Sequence, residues 1–495
     1  GDDLGNTRFR PPNAVDHPRN RTLARVYYER LSDECADYLE NESSRRREHT
    51  AMILIFDSGP FATQEGGVDF EKIREIVNAR LPELPRLRAK LRRVPLDGHP
   101  VWVDDQEFNL DFHLRQSSLP RPGSHEQLCR TASRIAATRL DRSRPLWDCW
   151  VLEGLEGGRF AMILKMHKAL AHLEGADLLQ TLLSADEDAP LPKATRALVR
   201  PAPSPVELFG EEVIRRWSPS RRAVGRAMRF WESPARATRL VQKRAQNVLR
   251  ALGYQIRPAG ESPFDGNLSP HRSYAVQEVD LDQVQKIRQT IGGTVHDAVL
   301  TILTGALRRF VEGLKISPTT VDLRAVTPIL DATGKTAEAW VIELPVWEAS
   351  GEVRQDLLGE QTRRIRSEQD LASAESLASG DIWTAARLFA IGARALKRIE
   401  NGQLAVLQSP GPQQPLYLNG AKLEECYGIL PLQDTSGLGI TVMSYAGSLF
   451  FSFNCDPDIV PDVGLLRDGV EAEVASLLIR TESRGPALRA VGGQG

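Results

Sequence analysis

The sequence predicts an α/β protein of two domains, and three observations carry that expectation. A chain of 495 residues exceeds one ordinary domain. Apolar runs of strand type, such as Thr50 to Asp57 and Trp147 to Leu155, alternate with segments whose apolar residues recur at helical spacing. Asp186 to Pro205, rich in Pro, Ala and charge, separates an N-terminal half from a C-terminal half that opens near Pro263. The expected division is a flexible segment over 1–20, an N-terminal domain over 21–200, an arginine-rich helical linker over 201–260 and a C-terminal domain over 261–495.

Composition narrows the function classes. Hydrophobic residues at 41% and charged residues at 26% describe an ordinary globular chain, and 63 basic against 65 acidic residues leave no excess charge for nucleic acid. Five scattered cysteines without a CxxC pair suit a reducing cytoplasm better than a disulfide framework or a zinc site. No apolar run approaches bilayer length, so a cytoplasmic protein with at most peripheral membrane contact is expected. No GxSxG elbow or phosphate-binding glycine loop is present.

Taken in order, Val68 to Leu91 spaces Ile73, Ile76, Val77, Leu81, Leu84 and Leu87 as a helix would, interrupted by Pro82 and Pro85. Trp102 to Leu114 reads as extended and Glu126 to Leu140 as helical. In the second half, Leu281 to Thr290 is a helix that Gly292-Gly293 breaks, and Thr294 can cap the next, Val295 to Phe310. Gly437 to Phe453 is a hairpin turning at Ala446-Gly447.

The stretch everything else surrounds is Pro145 to Leu183. Trp147 to Leu155 and Arg159 to Met166 are buried strands joined at Gly157-Gly158, whose glycines supply the positive φ a tight turn requires. They aim at His167, where a strand gives way to a helix. Pro145-Leu146-Trp147, Glu153-Gly154-Leu155, Gly157-Gly158-Arg159-Phe160-Ala161 and Lys165 resemble the phrase that precedes the HHxxxDG motif of the wax ester synthase/diacylglycerol acyltransferase family. Further phrases agree over most of residues 31 to 480, among them Ser262 to Ala275 and Asp456 to Asp462.

The resemblance implies two α/β sandwich domains of the chloramphenicol-acetyltransferase type with an interdomain tunnel. In that family the second histidine of the motif takes a proton from the acceptor hydroxyl or amine, which then attacks an acyl thioester. Here the motif is degenerate: that position is Lys168, and the motif's Asp and Gly fall on His172 and Leu173. Catalytic candidates are therefore Lys168, which needs burial or a cationic neighbour to act as a base, His172, which could supply the missing imidazole, and His167, which in the family is structural. Substrate-binding candidates are His296, Asp297, Gln408 and Trp147, and no metal site is expected.

The implied activity is acyl transfer from a CoA or carrier-protein thioester onto a hydroxyl or amine, with a hydrophobic substrate and no bound cofactor. An acyl carrier protein is a possible partner, and nucleic acid is not. Two alternatives stay open: a repurposed pocket catalysing cyclisation or rearrangement, and a non-catalytic ligand-binding protein.

Overall fold

The computed structural model describes residues 27–96, 98–170, 179, 181–190, 199–217, 262–330, 337–367, 403–433 and 436–483. The expected segment over 1–20, most of the expected linker, and His172 lie outside them.

In the N-terminal half, β1 (Glu29–Arg30) and α1 (Asp33–Asn41) precede β2 (His49–Asp57), α2 (Phe70–Arg80), β3 (Ala89–Arg93), β4 (Pro100–Asp104) and β5 (Leu114–Ser118). Then come α3 (His125–Ala137), β6 (Trp147–Leu155) and β7 (Arg159–His167). The β6–β7 hairpin forms as its glycines predict, with φ of 78° at Gly157 and 69° at Gly158. Helix α2 is shorter than the apolar spacing suggested, because Pro82 and Pro85 divert the chain into 3-10 turns. Trp102 to Leu114 is not one strand either: β4 ends at Asp104 and a 3-10 turn over Leu110–Phe112 precedes β5.

After α4 (Pro205–Trp217), the C-terminal half comprises β8 (Ser273–Asp280), α5 (Leu281–Ile291), α6 (Val295–Gly313), β9 (Leu323–Leu330), β10 (Ala337–Leu344) and α7 (Gly351–Ser367). It continues with β11 (Gln403–Ser409), β12 (Tyr417–Leu418), β13 (Ala421–Ile429), β14 (Leu438–Tyr445), β15 (Ser448–Cys455) and α8 (Gly464–Ser483). Thr294 caps α6 in a capping box with Asp297.

Two large sheets result, one per half. The N-terminal sheet runs β12-β13-β2-β7-β6-β5 and the C-terminal sheet β10-β9-β11-β14-β15-β8, with a small β1-β4-β3 sheet beside them. Strands β12 and β13 come from the C-terminal half of the chain, yet β13 pairs antiparallel with β2 from Leu423↔Phe56 to Ile429↔Ala51. Backbone hydrogen bonds thus tie the halves together, a linkage no local pattern announces.

Alternation along the C-terminal strands sorts side chains onto two faces. Val326, Ala405, Leu407, Met443 and Phe450 join the core of the N-terminal half, whereas Ala325, Leu404, Val406, Val442 and Phe451 pack with the helices α6 and α8. The first face is the seam between halves, and β2 and β7 end beside it.

Candidate active site

His49, the first residue of β2, lies directly opposite His167, the last of β7, so both imidazoles project from one face of the sheet. Their rings meet edge to face, with centroids 5.6 Å apart. His167 is fully buried, and its Nδ1 accepts a hydrogen bond from the Ala169 backbone N–H at 3.1 Å. Its proton in the neutral ring therefore sits on Nε2. Burial, reinforced by the neighbouring His49, holds His167 well below the usual imidazole pKa, so the ring is neutral at pH 7.

Glu42 follows α1 and turns its carboxylate into the same place. Its Oε1 lies 2.8 Å from His49 Nε2, while Oε2 accepts from Arg142 at 2.5 Å and Arg139 at 3.3 Å. The His49 contact is close but poorly aligned, and neither atom completes a hydrogen bond of good geometry. Burial alone would favour the neutral acid, but the His49 contact and Arg142 hold Glu42 ionised, well below the usual carboxylate range. For His49 burial outweighs the pull of Glu42, so its pKa is lowered. A neutral His49 with Nε2–H toward Glu42 leaves the Nδ1 lone pair with no partner among the described residues.

Glu42, His49 and His167 offer metal-type donor atoms within 4.8 Å of one another. The surroundings disfavour a dication there. Arg139 and Arg142 already share the carboxylate, and the charges of Lys165 and Arg47 reach the same imidazole. A carboxylate, a neutral imidazole and nearby cations suit proton transfer instead.

Lys168 turns away from this cluster. Its Nζ lies 2.9 Å from Glu48 Oε2 and 5.3 Å over the Tyr38 ring, and Arg46 binds the other Glu48 oxygen at 2.6 Å. Its Nζ is thus engaged with a carboxylate rather than with the Glu42–His49–His167 cluster. Trp147 occupies the opposite face of the sheet, where its Nε1 donates to the Leu87 carbonyl at 2.8 Å and its ring stacks on His113 at 4.8 Å. His296 and Asp297 start α6, whose residues pack in the core of the C-terminal half. Asp297 accepts from the Thr294 N–H at 2.9 Å and from Thr362 Oγ1 at 2.6 Å, which makes it a cap. Gln408 is in phase with Leu404 and Val406 along β11, which puts it on the helix-facing side.

Of the described candidates, then, His167 alone joins Glu42 and His49, while Lys168 pairs with Glu48 and Trp147, His296, Asp297 and Gln408 lie on other faces or elements. Sequence reasoning missed Glu42, His49 and Arg142. The only trace of His49 is its place one residue before the TAMILIFD run, and nothing in the polar stretch around Glu42 singles it out.

Comparison with known proteins agrees with this architecture. Residues 31–299 match the wax ester synthase/diacylglycerol acyltransferase catalytic domain, and residues 355–477 match the WS/DGAT C-terminal domain. A putative diacylglycerol O-acyltransferase of Mycobacterium tuberculosis is 29% identical over 91% of this chain and 90% of its own length. A probable diacylglycerol O-acyltransferase of the same organism, tgs1, is 27% identical over 91% of this chain and 96% of its own. Among solved structures, the wax ester synthase/diacylglycerol acyltransferase of Marinobacter aquaeolei superposes with a TM-score of 0.64 at 20% identity, covering 92% of this chain and 100% of that one. The starter condensation domain of rhizomide synthetase gives 0.51 at 10% identity, covering 92% and 95%, and so shares the fold. Matched by the family's catalytic domain over more than half its length and by the family's C-terminal domain, and built on two large sheets, the chain belongs to the wax ester synthase/diacylglycerol acyltransferase family.

Proposed function

We propose that the chain transfers an acyl group from a CoA thioester to the hydroxyl of a hydrophobic acceptor, diacylglycerol or a long-chain alcohol, with His49 as the general base. The donor and acceptor classes follow from family membership and from the diacylglycerol acyltransferase names of the relatives. The observation that carries the choice of base is the Glu42–His49–His167 cluster at the strand ends where the motif lies. His49 Nδ1 accepts the hydroxyl proton as the oxygen attacks the thioester carbonyl. Collapse of the tetrahedral intermediate expels the thiolate, which takes the proton back from the imidazolium. Glu42 stabilises that imidazolium, and His167, with its Nδ1 occupied by the Ala169 N–H, positions the ring of His49. Lys168 braces the site through Glu48.

Substrates reach His49 along the seam, where Ile429, Leu430 and Leu432 offer apolar walls. The gap there is about 10 Å³, so binding must part the walls. A general base contributes roughly 10²–10⁴ in rate, and holding donor and acceptor together contributes roughly 7–11 kcal/mol.

One observation favours a second reading, a pocket turned to rearrangement chemistry or to ligand binding alone: the family's base position holds an ion-paired lysine. Incubation with a panel of acyl-CoAs and either acceptor decides between them. Ester product with stoichiometric free thiol, lost on His49→Gln, supports transfer. Thermal stabilisation by a non-thioester ligand, with no ester from any donor, supports the second reading.

A further inference from the structure

A cavity of about 410 Å³ opens on the N-terminal half where the end of α3 meets β5 and β6, within the size range of small-molecule sites. Five cations line it, Arg115, Arg134, Arg139, Arg144 and Lys165, against two acids, Asp141 and Asp148. Both acids are engaged: Asp141 accepts from Ser143 Oγ at 2.7 Å and lies 3.4 Å from Arg144, and Asp148 lies 3.6 Å from Lys165. The lining thus holds three more cations than acids, of which Arg139 also meets the Glu42 carboxylate at 3.3 Å. Arg115 and Arg134 have no carboxylate partner among the described residues.

The arginines are also held in place before any ligand arrives. Arg115 stacks over Trp150 at 5.2 Å while its Nε donates to the Phe112 carbonyl at 3.1 Å, and Arg144 stacks on Phe112 at 3.3 Å. Lys165, at 1% exposure, forms the floor, its Nζ donating to the Ile135 and Thr138 carbonyls at 3.0 Å each. The same Lys165 lines the gap beside His49, so the cavity adjoins the seam. Concave packing of preformed guanidinium forks with a surplus of positive charge is the chemistry that recognises phosphate oxygens.

We propose that this cavity binds a phosphate-bearing group, and that the group is the phosphorylated end of the thioester donor. The second clause rests on the transfer reading above, and the first does not. The test is calorimetry on the full chain with CoA, 3′-dephospho-CoA, inorganic pyrophosphate and phosphatidate vesicles, using wild type, Arg115→Gln/Arg134→Gln and Arg115→Lys/Arg134→Lys. These positions lie at the cavity rim, and unchanged thermal melts confirm folding. CoA should bind wild type at least about tenfold more tightly than it binds the Gln variant, with a shallower salt dependence in the variant and partial recovery in the Lys variant.

Loss of CoA binding in the Gln variant without ester formation by wild type would uphold the cavity and overturn the transfer reading. Ester formation with an unchanged KM for acyl-CoA in the Gln variant would overturn the cavity and leave transfer standing. Arginine-dependent binding of phosphatidate vesicles with indifference to CoA would keep the phosphate site and overturn the donor assignment. Equal binding of every probe by wild type and the Gln variant would overturn the proposal entirely.

Discussion

Replacing His49 with glutamine tests the reading of the site most directly. The amide approximates the ring in size and can still donate toward Glu42, so the packing cost should stay near about 1 kcal/mol. It cannot accept a proton at neutral pH. If His49 is the base, turnover should fall by roughly 10²–10⁴, equivalent to about 2.7–5.4 kcal/mol of barrier. Glu42→Gln added to that variant should cost little further rate, since the carboxylate acts through the imidazole it contacts. Free-thiol release from acyl-CoA across pH gives an independent readout. Burial lowers the His49 pKa despite Glu42, so the wild-type rate should hold constant to below about pH 6.5 before protonation removes the base. The same depression means the neutral ring stabilises the fold above the unfolded value, and that contribution is lost as pH falls through the folded one. The variant should lack the acid limb. A variant within threefold of wild type, or one that keeps the limb, would refute the assignment.

Other substitutions separate scaffold from chemistry. Lys168→His should leave buried Glu48 with Arg46 alone, cost roughly 1–3 kcal/mol in urea unfolding and raise transfer no more than twofold; a tenfold gain would assign the base to position 168. His125 Nε2 lies 3.0 Å from Glu425 on β13, and that hydrogen bond raises its pKa against the effect of burial. Its stabilisation is full below the unfolded value of about 6.5 and fades as pH rises through the folded one, so His125→Gln should lower the melting temperature at pH 6 and matter less at pH 9. Gly305→Ala on α6 would drive a methyl into the Glu473 carboxyl that holds buried Arg354, and should cost roughly 3–5 kcal/mol, visible as a lower urea midpoint.

Family phrases recur over most of residues 31 to 480, and among the described residues several elements form where expected. The hairpin at Gly157-Gly158 and the cap at Thr294 are short-range devices, satisfied by residues a few positions apart, and such devices read directly from sequence. Longer-range features are harder to read. Apolar spacing continues past Pro82 and Pro85, but backbone chemistry stops α2. His296, Asp297, Gln408 and Trp147 are pocket candidates because the motifs around them line up with the family; in the fold, Trp147 and Gln408 project from faces other than that of His49 and His167, and His296 and Asp297 open α6.

By itself the amino-acid order determined the shell: two α/β lobes with their turns and caps. Only the tertiary structure gathered the side chains of the proposed site. Glu42, His49, Arg142 and His167 are separated by up to 125 positions along the chain, and they meet because β2 pairs with β7 in a register that sets His49 opposite His167. That register is a property of the whole sheet, fixed by burial of one complete face at a time, and no window of sequence contains it.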